Sequence, residues 1–121
     1  MAYDPDNIFA RILRGEIPCK KVFEDDHVLA FHDIEPQAPT HLLVIPKGAY
    51  ASMDDFTANA GDAEIAALFR AVGDLARQAG VAETGYRIIA NGGRDARQDV
   101  PHLHIHILGG RDLGRMLPPS A

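Results

Sequence analysis

The chain has 121 residues, enough for one domain with a core of its own. Nearly half of it is apolar and a quarter is charged, as in an ordinary soluble globular protein. The net charge of −5 excludes a general nucleic-acid binder, which needs a basic surface against phosphates, and a single cysteine, Cys19, excludes an intramolecular disulfide and a cysteine-built zinc cage. No stretch reads as a signal peptide or a membrane span. The longest apolar run, residues 42–46, is far too short, so a cytoplasmic protein with no membrane partner is expected.

Asp4-Pro5 reads as a helix start, since Asp caps and Pro suits the first helical position. Ile8, Phe9, Ile12 and Leu13 follow at helical spacing, and Gly15 ends the segment. Residues 21–24 read as a short strand, Asp25-Asp26 as a turn and residues 28–33 as a second strand. Pro36 and Pro39 force an irregular link. Residues 42–45 are continuously apolar, the pattern of a central strand covered on both faces. Residues 62–79 form the one long helix, with Ile65, Leu68, Phe69, Val72, Leu75, Ala76 and Ala79 on one face and Gly80 as the breaker. That stripe is read as core packing. Residues 86–91 make a fourth strand, and residues 92–99 a polar loop with two glycines and two arginines. The last strand, residues 102–108, follows, and residues 109–121 form a tail with Pro118-Pro119. There is no internal repeat and no linker. The expectation is an α+β fold: a five-stranded antiparallel sheet, a short N-terminal helix and one long helix on the sheet, with the last two strands as a hairpin.

The last strand carries the chemistry. In His102-Leu103-His104-Ile105-His106-Ile107-Leu108 three histidines alternate with aliphatic residues. Strand geometry puts all three imidazoles on one face, about 6.6 Å apart along the row. A packed strand gains nothing from such a row, so a chemical site is the economical explanation, against a bland row of solvated histidines. A zinc site could add His41 as a distant ligand. It is disfavoured: a third ligand in line is hard to bring onto one ion, and no glutamate follows His106, only Asp112. The alternative is nucleophilic catalysis. The middle imidazole attacks phosphorus, its neighbours orient it or move protons, and water resolves the labile phosphoramidate. No metal and no cofactor are expected.

These residues resemble the histidine triad (HIT) superfamily, and the likeness extends well beyond the triad. Asn7-Ile8-Phe9, Gly15-Glu16-Ile17-Pro18, Glu24-Asp25-Asp26, Leu29-Ala30-Phe31-His32-Asp33-Ile34, Pro36-Gln37-Ala38-Pro39-Thr40-His41 and Leu43-Val44-Ile45-Pro46-Lys47 are similar to its Hint branch, the histidine triad nucleotide-binding proteins. The likeness runs from about residue 7 to residue 110, and residues 1–121 are taken as one HIT domain with 111–121 as its tail. The resemblance implies a homodimer with the sheet extended across a two-fold axis. It implies hydrolysis of purine nucleoside phosphoramidates to a nucleoside monophosphate and an amine. The nucleophile is then His104, flanked by His102 and His106, with His41 as a fourth histidine supporting His102. Asp33 corresponds to the ribose-binding acid. Ile8, Phe9, Ile12, Phe31, Ile34 and Leu43 correspond to the base pocket, and Asn91 to the asparagine near the phosphate. Asp99 and Val100 complete the nucleotide-binding set.

The residues agree with this placement. Phe31 and Asp33 are two apart and share a strand face, an aromatic beside a base and an acceptor-only carboxylate for two hydroxyl donors. His41 and Leu43 share a face likewise. His32 should point away from the site, and His27 should be exposed. Arg97 stands where many members have glycine, and Asp99 where they often have serine or glutamate. His106, rather than glutamine, argues against the superfamily's transferase branch. Two other functions compete: cleavage of dinucleoside polyphosphates, as in a sister branch, and a nucleotide-binding regulatory protein with incidental activity.

Overall fold

The computed structural model describes residues 1–119. In chain order the elements are α1 (Ile8–Leu13), β1 (Lys21–Glu24), β2 (Val28–His32), β3 (Thr40–Pro46), α2 (Met53–Asn59), α3 (Asp62–Gln78), α4 (Val81–Thr84), β4 (Tyr86–Ile89) and β5 (Ile105–Gly109). The strands form one antiparallel sheet in the order β1-β2-β3-β5-β4, so the fold is the expected five-stranded α+β arrangement with β3 at its centre. No helix among the described residues is long and apolar enough to cross a membrane.

Alternation along the strands sends one set of side chains to each face. Val28, Ala30, Leu42, Val44, Ile105 and Ile107 meet α3 through Leu68, Ala71, Val72, Leu75 and Ala76. Leu29, Phe31, Leu43 and Ile45 form a second cluster with Phe9 of α1. Both faces of β3 are therefore covered, which is why its sequence is apolar throughout. Each valine, leucine, isoleucine or phenylalanine among these, taken fully out of water, contributes roughly 1.5–3 kcal/mol.

Several boundaries differ from the sequence reading, each for a local reason. Helix α1 starts at Ile8, because Asn7, not Asp4, caps it: the Asn7 side chain accepts the Ala10 N–H at 2.9 Å. Asp4 instead holds the preceding turn, its carbonyl accepting the Asn7 N–H. Gly15, with φ of +78°, ends the helix as expected. Strand β2 stops at His32, one residue early, and β3 begins at Thr40, which places His41 on the strand. Phe69, assigned to the buried stripe of α3, is half-exposed. The stripe runs instead through Leu68, Ala71, Val72, Leu75 and Ala76. Helices α2 and α4 were not foreseen. The last of these presses Val81 onto β5 at Gly109, where a β-carbon would come within 2.7 Å of the Val81 side chain. The β4 to β5 connection spans residues 90–104, longer than the loop expected at 92–99.

The histidine strand also begins late, at Ile105. The β3–β5 register runs from Thr40↔Gly109 to Val44↔Ile105, and continuing it would set Leu103 opposite Pro46. Proline has no N–H for the ladder. Leu103 instead donates to the Tyr50 carbonyl, and the His102 N–H to the Val100 carbonyl. His102 therefore sits in a bend before the strand.

Candidate active site

A cavity of about 420 Å³ opens on the α1 side of the sheet. It is lined by every residue expected at the site except His102: Ile8, Phe9, Ile12, Phe31, Asp33, Ile34, His41, Leu43, Asn91, Asp99, Val100, His104 and His106. Sequence reasoning missed Ile17, Pro18, Cys19, Glu35 and Gln37, although Ile17, Pro18 and Gln37 stand in motifs that carried the family likeness. His32, expected to face away, lines the cavity as well, and His27 is half-buried rather than exposed. The apolar wall comes from α1, β2 and β3. The histidines, Asn91 and Asp99 come from β3, β5 and the loop between β4 and β5.

The hydrogen bonds around the four histidines assign their protons. His104 Nδ1 lies 2.8 Å from the His102 carbonyl oxygen. A carbonyl only accepts, so Nδ1 carries the proton and Nε2 presents a free lone pair. His102 is fully buried. Its Nε2–H donates to the Pro46 carbonyl at 2.8 Å, and its Nδ1 accepts from the Tyr3 hydroxyl at 2.7 Å. Both of its nitrogens are used, and it acts on the cavity only through the carbonyl that fixes His104. No sequence signal marks Tyr3 for this contact, which spans almost the whole chain.

His41 accepts the Gln37 N–H at Nδ1, 3.0 Å away, so its proton is on Nε2. That Nε2–H donates to His106 Nδ1 at 2.8 Å. The support expected from His41 for His102 therefore goes to His106 instead. In register, His41 faces Leu108 and Leu43 faces His106, which makes His41 and His106 diagonal neighbours on one face. His106, accepting at Nδ1, keeps its own proton on Nε2. The His104 and His106 rings are 5.2 Å apart between centroids, and Phe9 meets the His104 ring edge-on at 4.9 Å.

Burial disfavours charge on every one of these rings. It pushes His41, His102 and His104 below the usual histidine range. His106 is pushed down to about 4, by burial first and then by the neighbouring His104 and His41. The row is a set of neutral imidazoles at neutral pH, the form that can act as nucleophile.

Asp33 follows β2 directly. Its N–H donates to the His41 carbonyl, its Oδ1 accepts the Glu35 N–H at 2.8 Å, and its Oδ2 is 3.4 Å from His41 Nε2. The ligand atoms of Asp33, His41 and His106 lie within 4.8 Å of one another, a spacing a metal ion could use. His41 Nε2 and His106 Nδ1 are already bonded to each other, however, and an ion there would have to break that bond.

Three alternating histidines running into β5 beside an apolar cavity, with a fourth on β3 next to the carboxylate that follows β2, define a histidine triad site. The chain belongs to the HIT domain family, whose domain matches residues 14–113, and within the superfamily it is Hint-like. It is similar to a 13.2 kDa HIT-like protein of Azospirillum brasilense, 72% identical over 115 residues, covering 95% of this chain and 94% of the relative. It is also similar to the purine nucleoside phosphoramidase of Escherichia coli K12, 46% identical over 112 residues and covering 93% of each chain. Among solved structures, the histidine triad nucleotide-binding protein of Candida albicans matches with a TM-score of 0.82 and 32% identity, over 96% of this chain and 85% of that one.

Proposed function

We propose that this protein is a metal-independent hydrolase of purine nucleoside phosphoramidates, working through a nucleotidyl-histidine on His104. The observation that carries this reading is the His104 ring, neutral and fixed by one nitrogen to a backbone carbonyl with the other nitrogen unengaged. The name of the Escherichia coli relative supports the same substrate class.

In the first step the Nε2 lone pair of His104 bonds to phosphorus and the P–N bond breaks. Its electron pair leaves with the amine, which takes a proton from solvent at the open side of the cavity. In the second step a water oxygen attacks phosphorus and the P–Nε2 bond breaks. The electron pair returns to His104, a proton passes to solvent, and the monophosphate is released. The His106 Nε2–H and Asn91 serve the phosphoryl oxygens. Asp33 accepts from the ribose hydroxyls, and the base lies among Ile8, Phe9, Ile12, Phe31, Ile34, Leu43 and Val100. His102 is a positioning residue that acts through His104.

The test is turnover of adenosine and guanosine phosphoramidates in excess EDTA. Full activity, with AMP or GMP and free amine as products, is expected, because imidazole rather than metal-bound hydroxide is the nucleophile. Activity lost to EDTA and restored by zinc would move the chemistry to the Asp33, His41 and His106 cluster.

Asp33→Ala should weaken AMP binding by roughly 1.5–3 kcal/mol, about 10- to 100-fold, with a smaller effect on single-turnover chemistry. Asp33→Asn keeps the turn to Glu35 but loses the charge, and should fall between. Unchanged binding with slower turnover would remove Asp33 from the ribose.

The active species is proposed to be a homodimer built on β4. This strand is one of the two sheet edges, with Tyr86 and Ile88 45% and 47% exposed on the helix-bearing face, where α3 also exposes Phe69. Sedimentation at micromolar concentration should give twice the chain mass, and a monomer would refute the pairing.

A further inference from the structure

Arg97 has three features that the reaction above does not use. Its φ is +56°, the one positive value at a non-glycine residue among those described. Glycine takes that conformation freely, and a residue with a β-carbon does so under strain. The neighbours hold it there. The Arg97 N–H donates to the Arg94 carbonyl, and the Gln98 N–H to the Gly93 carbonyl, both at 3.0 Å. The Gln98 side chain is pinned by the Gly93 N–H and by the carbonyls of Ala51 and Val100. The loop thus presents Arg97 in a set position.

The guanidinium is also unspent. It makes no hydrogen bond and no ion pair within the described residues, whereas the nearby Arg94 pairs with Asp95. Asp99, two residues on, is not within ion-pair distance of it. Finally, among the described residues Arg97 is the only lysine or arginine lining the cavity, beside four histidines and three carboxylates. It is exposed, and it lies on the loop that also supplies Asn91 and Asp99. In-line attack by His104 drives the leaving group to the far side of phosphorus, away from the nucleophile. With the base in the apolar end, the part of the substrate that emerges toward exposed groups is the amine.

We infer that Arg97 sets the specificity for the leaving group, favouring an amine that carries a carboxylate. The guanidinium fork matches a carboxylate in two parallel hydrogen bonds, which a neutral amine cannot offer. The inference rests on the phosphoramidate reading. It adds a substrate class to it: nucleoside phosphoramidates of amino acids in preference to those of neutral amines.

The experiment compares two adenosine phosphoramidates, one of β-alanine and one of its neutral amide, by kcat/KM. The carboxylate substrate should be preferred by about fivefold at low salt, the reach of a well-aligned exposed ion pair, and the preference should shrink as ionic strength rises. Arg97→Gln should bring the ratio to about one by slowing the carboxylate substrate alone, and Arg97→Lys should keep part of it. Arg97→Gly, which also relieves the backbone, should behave as Arg97→Gln, and so separates charge from strain. A ratio of one in the unmodified protein overturns the inference. So does an Arg97→Gln variant that slows both substrates alike, since Arg97 would then serve the shared nucleotide. If neither substrate is hydrolysed, the P–N reading itself falls, and this inference with it.

Discussion

His104→Ala abolishes turnover, by at least about 10⁴-fold, while the variant still binds nucleoside monophosphate to within a few-fold of the unmodified protein. The size of the loss follows from the proton assignments. The nucleophile needs an imidazole nitrogen with a free lone pair. His102 uses one nitrogen on Pro46 and the other on Tyr3. His41 uses its two on Gln37 and His106. His106 accepts at Nδ1 and is protonated at Nε2. No neighbour can take over from His104. Binding survives because the residues proposed for base and ribose lie on α1, β2 and β3. His41→Ala and His102→Ala should slow turnover less. The first frees the proton position of His106, and the second keeps the main-chain carbonyl that holds His104. Mass spectrometry of a quenched reaction should find adenylate on His104. Near-normal hydrolysis by His104→Ala, or adenylate on another residue, would sink the mechanism.

Much of this site is legible in the chain. Period-2 alternation marks the strands, and two-residue spacing puts Phe31 with Asp33, and His41 with Leu43, on one wall. The continuous apolar run of β3 announces a strand covered twice. What escapes is set by contacts between distant segments. His102 leaves the row because Pro46, far away in sequence, cannot extend the ladder. His41 pairs with His106 because register makes them diagonal neighbours, and register is not written in either segment alone. Helices α2 and α4 are too short to show a period. Ser52 followed by Asp54 and Asp55 was nevertheless a readable helix start. Phe69 was misplaced because helical spacing gives the stripe, and only the width of the sheet beneath decides which residue falls at its edge.

Acid destabilises the fold through the same rings as pH falls below the ordinary histidine value of 6.5, and for His106 the window reaches down to about 4. His41, His102, His104 and His106 are all held neutral, chiefly by burial. Unfolded, each binds its proton near 6.5; folded, each resists until a lower pH. Within that window the unfolded chain carries more protons, so stability falls as pH falls. One such group adds a slope of about 1.4 kcal/mol per pH unit. His41, His102 and His104 add to this slope in the same direction. Glu24 does not confuse the reading. Lys47 and Lys21 hold its carboxyl down to about 2, so its contribution is present above its ordinary 4.5 and disappears only toward pH 2. Thermal midpoints should be nearly level from pH 8 to 7 and should drop steeply below 6.5. Turnover should follow on its acid side, with its limb displaced below 6.5, because His104 attacks only when neutral. A midpoint at pH 4.5 equal to that at pH 7 would mean that these imidazoles accept protons without cost, and would contradict the neutral row on which the nucleophile depends.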